Sequence, residues 1–430
     1  MGRYETLLLS ISGVAMARLT AVGLCGLAAV ASLASPAFGA PAELDPSFSG
    51  DGKARTNFTR GIDHAYAVAI QSDGKIVAVG RSDHGTFALV RYATDGTLDP
   101  TFGRSGKTTT NLTRGFDVAT AVVLQTDGKI VVAGQAGRRF DIRFGLARYN
   151  ADGALDPSFS DDGKLVTNFT PGTDFAWDVT LEADGKIVAA GFAAAGSGGK
   201  FALARYNADG SLDDTFSGDG QLTTNLSARP DSATAVAIQS DAKIVVAGAA
   251  NIGSISSGDS FFALARYNSD GTLDSTFAGD GTAVTNFTPR PDHASDLVLQ
   301  PDGKIVATGR AAGRFGVARY NGDGTLDSTF GGDGRVTINF TKDWDFAEGI
   351  ALQADGKIVV VGDAANLKFA VARLNSDGML DVAFGGDGKV TTDFAPTVDF
   401  ARDVSLQADG KIVVVGGTGG RFAVARYMGG

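Results

Sequence analysis

Cysteine is nearly missing from this chain. Its one copy, Cys25, lies inside an apolar stretch close to the N-terminus, so everything after that stretch lacks a thiol with which to build a disulfide or a cysteine-based metal site. Positive charge is also short: 38 Lys and Arg stand against 48 Asp and Glu, a formal net charge of −10. That balance excludes a nucleic-acid partner, because holding phosphates needs a basic field. Histidine is scarce, with three scattered copies, and no Ser-His-Asp, HExxH or phosphate-loop pattern can be read. Outside the first forty or so residues no segment carries the 3.6-residue apolar period of a helix. The absences leave an all-β protein without an obvious catalytic motif.

The apolar run Ala21–Leu33 is too short to span a bilayer comfortably. Arg18 stands before it and small residues follow, the pattern of an export signal. Residues 1–42 are therefore expected to be a signal peptide, cleaved near 39–42 after Ala37-Phe38-Gly39 or Ala40-Pro41-Ala42. Leu24 before Cys25 is too large for a lipoprotein processing site. The alternative for this segment is an uncleaved membrane anchor.

What the chain has in abundance is glycine, 59 residues, and repetition. DGKIVVVG at 355–362 has six close relatives, at 73–80, 127–134, 184–191, 241–248, 302–309 and 409–416. A Leu-Asp pair opens each unit at Leu44, Leu98, Leu155, Leu212, Leu273, Leu326 and Leu380. The distance from the Arg of each ARY-type segment to the Lys of the next DGK is 38 residues in all six cases, as from Arg91 to Lys129. From that Lys to the following Arg it runs 16, 19, 19, 23, 15, 16 and 15. Insertions therefore fall in one connection per unit, the longest at 249–260.

The local code is β. Segments such as AVAIQ and KIVVAG are short, β-branched and apolar at nearly every position, as strands buried on both faces must be. Asp-Gly turns separate them, with glycine free to take the left-handed conformation that a tight hairpin demands; Ala242 replaces it in one copy. Four antiparallel strands per unit cannot bury their faces alone, so the units must stack. The expected fold is a seven-bladed β-propeller over residues 43–430, with an open solenoid or paired sandwiches as the alternative. The ends favour the ring: the array starts with an outer-strand segment at 44–58 and finishes with a third strand at 421–427. Pairing the two would close the circle.

The pattern LDPSFSGDGK…DGKIVVAG…FALARYNADG resembles the delta-60 repeat of bacterial secreted proteins, a propeller-forming repeat distantly similar to NHL-type blades. The resemblance covers 44–430. It implies a β-propeller in an exported bacterial protein, secreted or periplasmic, and carries no established activity or site with it.

Topology puts both Asp-Gly hairpins of a unit on one face of the disc and the variable connection on the other. On that loop face an Asp-x-Ala recurs at Asp63, Asp117, Asp174, Asp231, Asp292, Asp345 and Asp399. It reads either as a carboxylate ring that draws a cation or as seven loop-capping side chains, and its presence in every copy favours the second. Basic residues crowd the same face, among them Arg139, Lys200 and Arg314; they are candidates to pair with that ring or to contact a ligand. The Arg of ARY and the Asp of the Leu-Asp pair also recur in every unit, and read as a buried structural pair.

Residues not shared by all copies say more about function. Asp178, Asp296 and Asp403 stand where other units have Ala or Gly. Three carboxylates near the channel are a candidate calcium site, against the reading that they merely face channel water. Trp177 and Trp344 are candidate ligand contacts, or rings packed between blades. His64 and His293 hold matching positions and read as surface residues. The leading functional expectation is a non-enzymatic scaffold, monomeric and without a cofactor other than that possible calcium. It would bind a protein or glycan through the loop face, with no membrane span once the signal is removed. The alternative is a polysaccharide lyase or hydrolase acting in the channel around Asp178, Asp296, Asp403 and Trp177.

Overall fold

Each Asp-Gly turn folds a short apolar strand back on its neighbour, and the result is seven four-stranded antiparallel sheets arranged as the blades of a closed propeller. The computed structural model describes residues 40 and 42–430 except 139–140, 196–197, 252–259, 289–290, 365–367 and 395–397. Most of the expected signal segment, Arg139 and the greater part of the longest connection lie outside the described residues. Among the described residues no helix is long and apolar enough to cross a membrane.

The first blade shows the plan: inner strand His64–Ile70, second strand Ile76–Arg81, third strand Phe87–Tyr92 and outer strand Lys107–Thr110. The inner strands of blades 2 to 7 are Val118–Leu124, Asp174–Leu181, Ser232–Ile238, Asp292–Leu299, Phe346–Leu352 and Asp399–Leu406. Second and third strands are buried along almost their whole length, because blades press on both of their faces. The hydrophobic core is accordingly divided among the interfaces. Val77, Val79 and Leu89 of blade 1, for example, pack with Ile130, Val132 and Tyr149 of blade 2.

Ring closure follows the expected route. The outer strand of blade 7 is Lys53–Thr56 from the start of the array, paired antiparallel with Arg421–Tyr427 from Lys53↔Ala425 to Thr56↔Phe422. The seven ARY arginines are buried, and each donates from Nε to its Leu-Asp carboxylate at 2.7–2.8 Å, as in Arg148–Asp156 and Arg319–Asp327. The same guanidinium reaches a backbone carbonyl of the next blade, Arg148 to Ala208 and Arg266 to Gly322. The DGK lysine adds a contact to the same carboxylate, 3.2 Å for Lys129–Asp156. A buried charge is tolerated only when paired and fully hydrogen-bonded, and this repeated network meets that condition while tying blade to blade.

The Asp-x-Ala aspartates are architectural too. Each is fully buried and accepts backbone N–H groups of its own loop: Asp63 takes those of Phe58 and Thr59 at 2.8 and 3.0 Å, and Asp117 those of Leu112, Thr113 and Gly137. They present no ring of free charge. Two basic residues of the loop face pair elsewhere, Arg143 with Asp141 and Lys368 with Asp393.

Candidate functional site

A bulge in every inner strand creates the site. Just past Asp-x-Ala the strand slips by one residue against its neighbour, between Ala65 and Ala67 in blade 1 and at the matching place in the other six. A bulge leaves one residue outside the ladder and turns it away from the sheet. Around the ring those residues are Tyr66, Thr120, Trp177, Thr234, Ser295, Glu348 and Arg402, and all seven line one cavity of about 450 Å³ in the loop-face half of the central channel. The other half is walled by the apolar ends of the inner strands, including Leu181, Ile238, Leu299, Leu352 and Leu406.

One residue further along stand Asp178, Asp296 and Asp403, which line the same cavity. Each uses one carboxylate oxygen to accept its own strand's next N–H and the other to accept the equivalent N–H of the following blade. Asp178 takes Val179 and Val236 at 2.8 Å each. Asp296 takes Leu297 at 2.7 Å and Ile350 at 2.9 Å. Asp403 takes Val404 at 2.7 Å and Val68 at 2.8 Å, which joins the last blade to the first. Six of the seven equivalent edge amides are thereby satisfied by three carboxylates. The seventh, Val122, lines the cavity and has no carboxylate partner among the described residues.

Burial pushes all three acids up: Asp178 to about 6, Asp403 to about 7, and Asp296 well above the usual carboxylate range, with the neighbouring Asp403 and Asp178 charges adding to the rise. Among the described residues no set of three or more His, Cys, Asp or Glu side chains is spaced to hold a metal ion. The trio thus shares a cavity without converging as a donor set, because each carboxylate is turned onto its own pair of amides.

The remaining junctions carry other clasps. Thr120 donates to Ala176 O and Thr234 to Ala294 O, both at 3.0 Å. Arg402 donates to Glu348 at 2.5 Å and lies 3.8 Å from Asp363. Burial raises Glu348, and raises Asp363 to about 7, against the pull of the Arg402 charge. His293 also lines the cavity; burial, with Arg310 beside it, lowers it to about 4, so it is neutral at pH 7. Around the mouth, the residue before the Asp-x-Ala aspartate is large, apolar and about half exposed in four blades: Ile62 51%, Phe116 48%, Trp344 50% and Val398 51%.

Seven segments of the chain, 71–102, 125–159, 182–216, 239–277, 300–330, 353–384 and 407–429, match the β-propeller domain of unknown function DUF5122. The chain belongs to the DUF5122 β-propeller family. Among solved structures it is similar to selenomethionine-substituted virginiamycin B lyase from Staphylococcus aureus, with a TM-score of 0.53 and 10% identity over 87% of this chain and 98% of that one. A streptogramin B lyase structure gives 0.52 and 10%, over 87% and 97%. A catalytically inactive form of the S. aureus enzyme with quinupristin gives 0.51 and 11%, over 86% and 98%. At such identities the likeness is one of fold. No curated protein matches.

Within this member of the DUF5122 family, the structure gathers Trp177 with Asp178, Asp296 and Asp403 in one cavity. Lys200 and Arg314 lie near the start of third strands, two strands out from the inner edge, and do not line it. Trp344 stands at the mouth rather than inside. His64 and His293 are not surface residues: His64 stacks on Phe400 at 4.8 Å between ring centroids, and both are partly buried. Six bulge residues, Tyr66, Thr120, Thr234, Ser295, Glu348 and Arg402, escape a reading that assumes regular strand alternation. Their signal was available in the unlike residues that follow each Asp-x-Ala.

Proposed function

We propose that this protein is an exported, non-enzymatic binding propeller that takes a hydroxyl-rich ligand, a saccharide, into the loop-face mouth of its channel. One observation carries the reading. Where the blades repeat one another closely, the side chains serve the fold; at the bulge the seven residues are of six kinds, and all of them point into one cavity. Architecture alone would be served by the same residue seven times. The set on offer is two aromatic rings, the Tyr66 and Ser295 hydroxyls, the acceptor oxygens of Thr120 and Thr234, whose protons go to backbone carbonyls, and a carboxylate–guanidinium pair, the mixture of apolar faces and directed polar groups that small-ligand pockets use. The Val122 amide adds a donor, and the half-exposed apolar rim suits a chain that continues over the face.

A glycan array probed with residues 43–430, followed by titration calorimetry on the hits, tests this. Trp177→Ala is expected to weaken binding about tenfold or more, as loss of a buried aromatic anchor does. Wild-type affinity in that variant, or no glycan bound at all, would refute the reading.

The rival, a polysaccharide lyase or hydrolase, has the pKa values of Asp178 and Asp403 in its favour, since acids raised to about 6 and 7 suit proton transfer at neutral pH. Against it, both oxygens of each carboxylate are taken by backbone amides. Shortened products from any array hit, abolished in Asp403→Asn with binding retained, would replace the binding reading with this one.

A further inference from the structure

One constellation at the edge of the cavity occurs twice. In blade 5, His293 pairs across the sheet with Arg310, whose guanidinium lies 4.2 Å from the ring centroid of Trp344 and 4.6 Å from that of Phe346, both from blade 6. In blade 1, His64 pairs with Arg81, whose guanidinium lies 5.3 Å from the ring of Phe116 of blade 2. Each aromatic ring rests on the glycine of a tight turn, Gly313 under Trp344 and Gly85 under Phe116, where an added Cβ would stand 3.2 and 2.3 Å from the ring. That glycine's carbonyl accepts the N–H of the following blade's aspartate at 2.8 Å in both places. The other five blades have Gln135, Phe192, Ala249, Asp363 and Gly417 at the arginine position.

Neither arginine has an ion-pair or hydrogen-bond partner among the described residues, and Nε of Arg310 is buried without one. A guanidinium held over an aromatic face keeps its charge and its planar row of donors while losing conformational freedom, which prepares it for a planar or tetrahedral oxyanion. The companion histidines do not compete for that anion. Burial foremost, then the adjacent arginine, lowers both to about 4. On a ring of seven, the blade 1–2 and blade 5–6 junctions are as far apart as the ring permits, so the two stations flank the cavity from opposite sides.

We infer that Arg81 with Phe116 and Arg310 with Trp344 are paired oxyanion subsites that hold two acidic groups of one saccharide chain laid across the channel mouth. This rests on the saccharide reading above and narrows it to acidic glycans. The protein's net negative charge gives such a ligand no long-range attraction, so recognition is local to the two arginines.

The test uses residues 43–430 and three probes by titration calorimetry: an oligogalacturonate, the same oligomer fully methyl-esterified, and a sulfated galactan oligomer. The oligogalacturonate should bind at least tenfold more tightly than its ester. Arg310→Gln and Arg81→Gln should each remove about tenfold of that preference with an unchanged melting temperature, and the double variant should bind acid and ester alike. Binding of the sulfated oligomer in place of the uronate, with the same arginine dependence, assigns the subsites to sulfate. Equal affinity for acid and ester, or arginine variants that bind as wild type, would overturn the oxyanion subsites while leaving the saccharide reading standing. Failure of all three probes, together with an empty glycan array, would remove both.

Discussion

Arg426, in the last strand, donates from Nε to Oδ2 of Asp45 at 2.8 Å, with both side chains buried. This pair does at the seam what Arg91–Asp99 does within blade 1, although its partners are separated by almost the whole sequence. Asp45→Ala would leave the Arg426 charge buried and unanswered, and should cost about 3–5 kcal/mol in urea unfolding. Removing residues 43–60 takes away the outer strand of blade 7 as well, and the cooperative melt should be lost. A sharp transition at the original temperature would show that the ring does not depend on its seam.

Ala242 occupies the hairpin position that glycine fills in the other six DGK turns, and it keeps the same left-handed backbone, φ +64° beside +81° to +88° for Gly74, Gly128, Gly185, Gly303, Gly356 and Gly410. A Cβ in that conformation costs about 1 kcal/mol or more. Part of the gain from removing it is returned through the freer unfolded chain of a glycine variant. Ala242→Gly should therefore raise unfolding stability by roughly 0.5–1 kcal/mol, measured by urea titration. A destabilised variant would mean that the methyl group packs usefully.

Calcium needs six to eight oxygens around one point, whereas Asp178, Asp296 and Asp403 each turn both oxygens onto backbone amides. Millimolar calcium or a chelator should leave the melting temperature of residues 43–430 unchanged. A calcium-dependent rise that disappears in Asp296→Asn would restore the metal site expected from the three unshared aspartates.

Repetition made the scaffold legible. Whatever recurred in register, the Asp-Gly turns, the Arg–Asp pair and the Asp-x-Ala cap, proved to be architecture, and the strands missing at the two ends of the array foretold the seam. The site was legible only in part. Asp178, Asp296 and Asp403 stood out by breaking the repeat, and Trp177 came with them. Glu348 and Arg402 did not, because the bulge adds a residue to each inner strand and moves the channel-facing position by one. Lys200 and Arg314 stand on the loop face near the start of third strands, and their distance from the axis follows from which strand carries them. Arg310 could not be recognised at all: the rings that frame it belong to the next blade, and no local pattern announces that contact.

The three channel aspartates also set a pH dependence whose sign is fixed by their direction. Their pKa values in the folded protein lie above the unfolded value of 3.8, at about 6 for Asp178 and about 7 for Asp403. Between pH 4 and pH 7 the folded state therefore keeps protons that the unfolded chain has released, and stability falls as pH rises through that window. The Leu-Asp carboxylates work the other way. Ser and Thr hydrogen bonds and the Arg and Lys charges outweigh burial and hold Asp99, Asp156, Asp213 and Asp274 below 3.8, so their contribution is lost only at lower pH, as they too protonate. The melting temperature should accordingly be highest where the two trends meet, near pH 4, and decline by on the order of a few degrees towards pH 7. Asp178→Asn with Asp403→Asn, which fixes both sites in a neutral form, should flatten that decline. An unchanged slope in the double variant would show that other groups govern it and that the channel carboxylates titrate as they do in the unfolded chain.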